Sequence, residues 1–198
     1  MVVSLSGCAS MSSDECANSD WSAIGYEDGS RGYTSARFTN RRKACASHGV
    51  TADFQAYQDG REQGLSEFCQ PGRGFNVGAS GASYNGVCAT DLEPEFLEAY
   101  RVGYQLYDLR SNVSNVSSLI SRKKRELEKI TKEIRFKEAA LISAESTTEA
   151  RILLLVDIKD LAEHKGRVEA EIQGLIADRV RYQSELRHYE QTVAAYGY

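Results

Sequence analysis

The side chains in this sequence that could do chemistry lie in its first half. Asp28, Asp59 and Glu62, with His48, are the polar groups that could serve as acid and base. Paired carboxylates do such work only where the fold holds them at roughly 5 to 10 Å. Tyr26, Asp28, Tyr57, Asp59 and Arg61 also form a candidate groove for a glycan or peptide. Acids are common along the chain, 28 Asp and Glu in 198 residues, so such groupings arise often on solvated helix faces, and we assign no catalytic residue. The cysteines say more. Leu5-Ser6-Gly7-Cys8 has the pattern of a bacterial lipobox, an aliphatic residue and two small residues before a cysteine that becomes lipidated. The residues before Cys8 are too few for an export signal with its charged and apolar regions, so the natural start is expected upstream. Setting Cys8 aside leaves Cys16, Cys45, Cys69 and Cys88, an even set in a small glycine-rich region, which reads as two disulfides made in an oxidising compartment. Of three possible connectivities, the sequence-local closures Cys16–Cys45 and Cys69–Cys88 are favoured. A metal site is disfavoured, because no two cysteines are close in sequence and only His48 lies nearby.

The elements that must position these residues divide the chain into residues 1–8 (signal remnant and lipobox), a head over 9–107 and a tail over 108–198. The head holds both prolines, the only tryptophan, most of the glycine and an excess of acids, whereas charges in the tail nearly balance. With a net charge of -4 and basic residues interleaved with acids, nothing favours nucleic acid as a partner. The runs Arg41-Arg42-Lys43 and Arg122-Lys123-Lys124-Arg125 read as solvated helix faces. Within the head an aromatic recurs three residues before a glycine, in Gly25-Tyr26-Glu27-Asp28-Gly29, Ala56-Tyr57-Gln58-Asp59-Gly60 and Ala99-Tyr100-Arg101-Val102-Gly103, each preceded by Trp21, Phe54 or Phe96. On a helix this spacing puts ring and glycine on one face. Glycine inside a helix costs about 1 kcal/mol against alanine, so its recurrence predicts three short helices whose backbones approach closely. Between the second and third copies, Phe75 to Cys88 carries the turn signals Gly81 and Asn85-Gly86 and predicts a two-stranded hairpin or ordered loop. No Gly-Lys-Ser/Thr follows, so it is not a phosphate loop. Asp91-Leu-Glu-Pro94-Glu95 reads as a helix start.

The tail carries a heptad stripe. Val113, Ile120, Leu127, Ile134 and Leu141 recur every seven residues, with Val116, Ile130 and Ala144 on companion positions interrupted by Lys123 and Lys137. A second stripe runs from Leu154 through Ile158, Leu161, Val168, Ile172, Leu175, Tyr182, Leu186, Tyr189 and Val193 to Tyr196, interrupted by Lys165 and Arg179. Ser146 and Glu149 between them make a capping box, the signature of a new helix start. Two antiparallel helices are therefore preferred to one continuous rod. Leu153-Leu154-Leu155-Val156 is apolar on several faces, which predicts burial against a partner or a second copy. His164 and His188 sit among charged residues and are expected to be solvated. No segment reaches the roughly 20 apolar residues of a membrane-spanning helix.

Taken together, Cys16, Asp20-Trp21, Gly25 to Gly29, Cys45 with His48-Gly49, Tyr57-Gln-Asp-Gly60-Arg61-Glu-Gln-Gly64-Leu65, Cys69, Gly81, Tyr84, Cys88 and Phe96 through Gly103 resemble the uncharacterised proteobacterial lipoproteins carrying domain of unknown function 2799. The likeness covers about residues 14–107. It implies an exported lipoprotein with paired cysteines and a helical tail, and no activity; no cofactor or metal is expected. By the sorting convention for such lipoproteins, Ala9 after the lipidated Cys8 implies the outer membrane, facing the periplasm.

The expectation is a mainly α protein: a small disulfide-bonded, glycine-rich head with a β-hairpin, then a long two-helix antiparallel coiled-coil hairpin. A lipid on Cys8 would hold it in the cell envelope, and residues 108–198 would meet a protein partner or another copy. This structural or interaction class is favoured over a head that binds or modifies an envelope glycan or peptide.

Overall fold

A computed structural model describes residues 11–143, 147–195 and 197. Cys8 with its lipobox, Ala144, Ser146 and Tyr196 lie outside them. The described residues form seven helices and no strand: α1 (Ser13–Asn18), α2 (Trp21–Ser30), α3 (Ala36–Ala46), α4 (Phe54–Phe68), α5 (Pro71–Ala79), α6 (Glu93–Ile142) and α7 (Thr148–Ala195). Two compact units meet at Tyr107 and Asp108.

Local chemistry starts the short helices. Ser12 and Glu15 close a reciprocal capping box on α1. The side chains of Asp20 and Asp53 accept from the backbone amides of Ala23 and Ala56, each at 3.0 Å, capping α2 and α4. Pro71 opens α5 at a position where its missing amide costs nothing. The hairpin expected over Phe75 to Cys88 is therefore not formed: its first part is helical and the rest is a loop. Glycine gives α5 poor helix propensity, and what holds it is a tertiary contact with α6.

That contact exists twice. A methyl group on Gly25 would overlap the Tyr57 carbonyl, and one on Gly29 the Arg61 carbonyl; from the other side, Gly60 sits on the Ser22 carbonyl and Gly64 on that of Tyr26. Helices α2 and α4 thus cross backbone to backbone. In α5 and α6 the same atoms recur. Gly74 faces the Phe96 carbonyl, Gly78 the Tyr100 carbonyl and Tyr104 amide, and Gly103 the Phe75 carbonyl and Ala79 amide. After each first helix comes a glycine with positive φ lying against an aromatic ring, Gly32 (φ 69°) on Phe68 and Gly81 (φ 74°) on Tyr107. At one constant offset Gly25, Gly29 and Gly32 become Gly74, Gly78 and Gly81. At a second, Tyr57, Gly60, Gly64 and Phe68 become Phe96, Ala99, Gly103 and Tyr107. The head is thus a tandem duplication of a helix pair. This replaces the threefold repeat expected from Tyr26, Tyr57 and Tyr100, because the structural counterpart of Tyr57 is Phe96.

Each copy has its own core and its own disulfide. Trp21, Phe38 and Tyr57 surround the Cys16–Cys45 bridge in the first, and Phe68 and Phe96 adjoin the Cys69–Cys88 bridge in the second. Both bridges are the sequence-local closures. The first copy alone carries an additional helix, α3, in its connection.

In the second unit both stripes are the shielded faces of their helices. Ile120, Ile130, Val168, Ile172 and Val193 are buried and the other described stripe residues are partly buried. Ile130, Val168 and Ile172 form the core with Leu127, Ile134, Leu161 and Ile176. Ion pairs join Arg110 to Glu190 (2.9 Å), Lys123 to Glu171 (2.7 Å) and Lys137 to Asp157 (2.6 Å), so positions fall along α7 as they rise along α6. The two lysines that interrupt the first stripe are thereby neutralised, and carboxylate hydrogen bonds raise the pKa of both. At the start of α7 the Thr147 hydroxyl caps the Ala150 amide at 3.2 Å. His164 is not simply solvated, since its Nε2 lies 3.2 Å from Glu126. No helix among the described residues is long and apolar enough to cross a membrane.

Candidate functional site

The most concentrated chemistry in the head is at Asp28, the one charged side chain buried among the described residues, at 2 % exposure. The glycine contact explains its depth, because with Gly25 and Gly29 against α4 the intervening turn of α2 is driven inward. A buried carboxylate must be paired. The Tyr57 hydroxyl donates to its Oδ2 at 3.0 Å, Arg41 donates through both Nη atoms at 2.5 and 3.3 Å, and Arg37 stands 3.8 Å away. The Arg37 guanidinium also stacks 3.6 Å over the Tyr33 ring. Arg41, expected on a solvated face, thus turns inward to answer the buried charge. Burial, then the negative charge of Asp28 and the hydrogen bond to it, pushes the Tyr57 hydroxyl up to about 12. Both arginines come from α3, so this cluster fastens α3 to the α2–α4 pair. In the second copy, which has no counterpart of α3, the positions of Asp28 and Tyr57 hold Val77 and Phe96.

The expected groove residues are only partly brought together. Asp28 and Tyr57 meet, but inside the fold. Tyr26 is on the surface, donating to Glu67 at 2.7 Å, which raises its pKa. Asp59 is exposed and accepts from Gln55 on its own helix. His48 contacts the Met11 carbonyl at 3.1 Å. None of Asp28, Asp59, Glu62 and His48 is hydrogen-bonded to another of the four. Arg61 does reach a cleft of about 260 Å³ between α3 and α4, lined by Phe38, Phe54, Tyr57 and Glu62 among others. Its Nη2 donates to the Tyr33 carbonyl at 3.0 Å, while its Nε is buried with no partner among the described residues. Leaving a buried donor unmade costs about 1–3 kcal/mol. Phe54 stands half-exposed beside it.

No group of three His, Cys, Asp or Glu side chains that could hold a metal occurs among the described residues. Sequence reasoning missed Arg41 and Arg37; the available signal was that an Asp flanked by two packing glycines requires a cation.

Fold and site define a small, disulfide-stapled, duplicated helix-pair domain, followed by a long helical region. Residues 20–105 match the family described as protein of unknown function DUF2799. The matched span runs from the N-cap of α2 nearly to the end of the second copy, so the duplication lies within it. No curated protein and no solved structure matches the chain.

Proposed function

We propose that the protein is a lipid-anchored component of the bacterial envelope that works through protein–protein contact. Its Cys8 carries the lipid in the outer membrane, its disulfided head faces the periplasm, and residues 108–198 form an antiparallel coiled-coil hairpin that meets a partner. The observation carrying this reading is an apolar collar in the second unit. Phe136, Ile142, Ile152, Leu153, Leu155 and Val156 are between 52 and 83 % exposed. The Lys137–Asp157 ion pair and the bond from Arg151 to the Ser143 carbonyl (3.2 Å) hold these turns of α6 and α7 side by side, so the six surround one end of the helix pair. Scattered apolar residues need no explanation, but a helix apolar on all sides asks for burial. The flanking charges, Glu149, Arg151, Asp157, Lys159 and Asp160, are of both signs, which suits a second copy better than a strongly charged partner. Two acyl chains on Cys8 would make attachment nearly permanent, at about 0.8 kcal/mol per buried methylene.

Photoreactive residues at Phe136, Ile152 and Leu155 in intact cells test the reading. Specific adducts with itself or one envelope protein support it, and adducts lost on Leu153→Asp locate the contact. Absence of any specific adduct refutes it. Radiolabelled palmitate incorporated by the wild type and not by Cys8→Ser tests the anchor.

A further inference from the structure

The cleft between α3 and α4 is a site of its own, and we propose that it binds a sugar acid, a pyranose ring bearing a carboxylate. The duplication supplies the comparison. The second copy builds the same helix pair with Phe96, Leu97 and Tyr100 where the first has Tyr57, Gln58 and Arg61, so the glycine contact does not require polar side chains at these positions. Tyr57 is accounted for by Asp28 and one nitrogen of Arg61 by the Tyr33 carbonyl; Gln58 and the Arg61 Nε are left over.

What they line fits one ring. The cleft, at about 260 Å³, is smaller than the roughly 300–1,000 Å³ typical of pockets for drug-sized ligands. One wall is aromatic: Phe54 lies with its ring 5.1 Å from Phe38, which packs 4.7 Å from Tyr57, and Phe54 remains half-exposed at the mouth. A half-exposed ring backed by two others offers a flat apolar surface to the C–H face of a sugar. Arg61 supplies the charge: it lines the cleft, spends one nitrogen on the Tyr33 carbonyl and has a buried Nε with no partner among the described residues. Guanidinium forks match carboxylates in geometry and strengthen in partly dehydrated surroundings. The side chains of Ser35, Thr39, Gln58 and Glu62 complete the lining and make no hydrogen bond to another described residue, leaving hydroxyl, amide and carboxylate groups for ring hydroxyls. This site is independent of the collar and of the anchor, so its failure leaves the envelope reading standing, and the reverse holds.

The protein carries its own reporter. Trp21, the only tryptophan, packs edge-on 5.8 Å from Phe38. The full chain is titrated with sodium D-glucuronate, with D-glucose, which has the same ring without the carboxylate, and with sodium chloride at matched ionic strength. Trp21 emission and the Arg61 Nε–H resonance are followed. Glucuronate gives a saturable change with half-saturation at about 1–10 mM, as befits so small a ligand. Glucose binds at least about tenfold more weakly. Arg61→Gln removes this discrimination, and Phe54→Ala, which touches no buried polar group, weakens both sugars; circular dichroism confirms that each variant is folded. No saturable response to glucuronate beyond that of sodium chloride, equal binding of glucose, or unchanged glucuronate binding in both folded variants overturns the proposal.

Discussion

Adding one methyl group at Gly29 is expected to unfold the head more readily, although alanine is the better helix former. Ordinarily Gly→Ala in a helix interior gains about 1 kcal/mol. At Gly29 the methyl would overlap the Arg61 carbonyl and come within 2.9 Å of the Leu65 amide, both backbone atoms that cannot rotate away. Helices α2 and α4 must therefore separate along their crossing, loosening Trp21, Phe38 and Tyr57 around the disulfide. Overpacking of this kind costs about 1–3 kcal/mol or somewhat more, so the net loss is about 1–2 kcal/mol after the propensity gain. With a urea slope of about 1–3 kcal/mol/M, the midpoint falls by roughly 0.3–2 M. Gly78→Ala, its counterpart in the second copy, behaves alike. Gly166→Ala and Gly174→Ala, in α7 with nothing within 4 Å, raise the stability of the tail by up to about 1 kcal/mol. Urea unfolding followed by Trp21 emission reads the head, and circular dichroism reads the tail. A Gly29→Ala protein as stable as the wild type would refute the backbone contact.

Tyr57→Phe copies the second repeat and removes one hydrogen bond from Asp28, costing about 1–2 kcal/mol in urea unfolding, whereas Asp28→Val strands Arg41 and Tyr57 and costs about 3 kcal/mol or more. The double variant is less damaging than the sum of the two, a coupling that a double-mutant cycle measures directly. Because the folded-state pKa of Tyr57 is raised to about 12 from an ordinary 10.0, its contribution is complete below pH 10 and is lost as pH climbs from 10 towards 12. Alkaline unfolding monitored by fluorescence is therefore flatter in Tyr57→Phe, and an unchanged slope would contradict the buried hydroxyl. Replacing both Cys16 and Cys45 by serine costs the head about 3 kcal/mol in the chain-entropy account, as does replacing Cys69 and Cys88. Non-reducing peptide mapping of the wild type checks the two pairs, and any Cys16–Cys69 or Cys16–Cys88 peptide would contradict the fold.

Parts of this architecture are written locally and were readable. The tail stripes are one such part, since a seven-residue spacing carries its own geometry, and every described stripe residue from Val113 to Val193 is at least partly shielded. Non-local features were harder. Phe75 to Cys88 reads as a hairpin or ordered loop because it is rich in turn-formers, whereas its first residues continue α5, which exists through contact of Gly74 and Gly78 with the α6 backbone. Aligning the repeats on Tyr26, Tyr57 and Tyr100 followed the most visible residues, whereas the four-residue glycine spacing held the true register. Of the expected groove residues, Tyr57 and Arg61 line the cleft between α3 and α4, while Asp28 is buried behind it. Alternation of side chains around a helix could place Asp28 on a face, but only the crossing with α4 decides that this face is closed and that Arg41 must come to it.

The two disulfide loops lie one after the other along the chain and do not enclose one another, with separations of 29 and 19 residues. Consider the head under tension, drawn out from its two ends. Fully extended chain reaches about 3.3–3.6 Å per residue. The first bridge holds its ends 5.4 Å apart and withholds about 95 Å of that reach; the second, at 5.6 Å, withholds about 60 Å. About half of the head's contour therefore never enters its length, even after both helix pairs have come apart. The head behaves as a short-stroke link, whose give is set by Ala46 to Phe68 and the flanking segments, and a change in thiol oxidation alone would alter how far it can stretch.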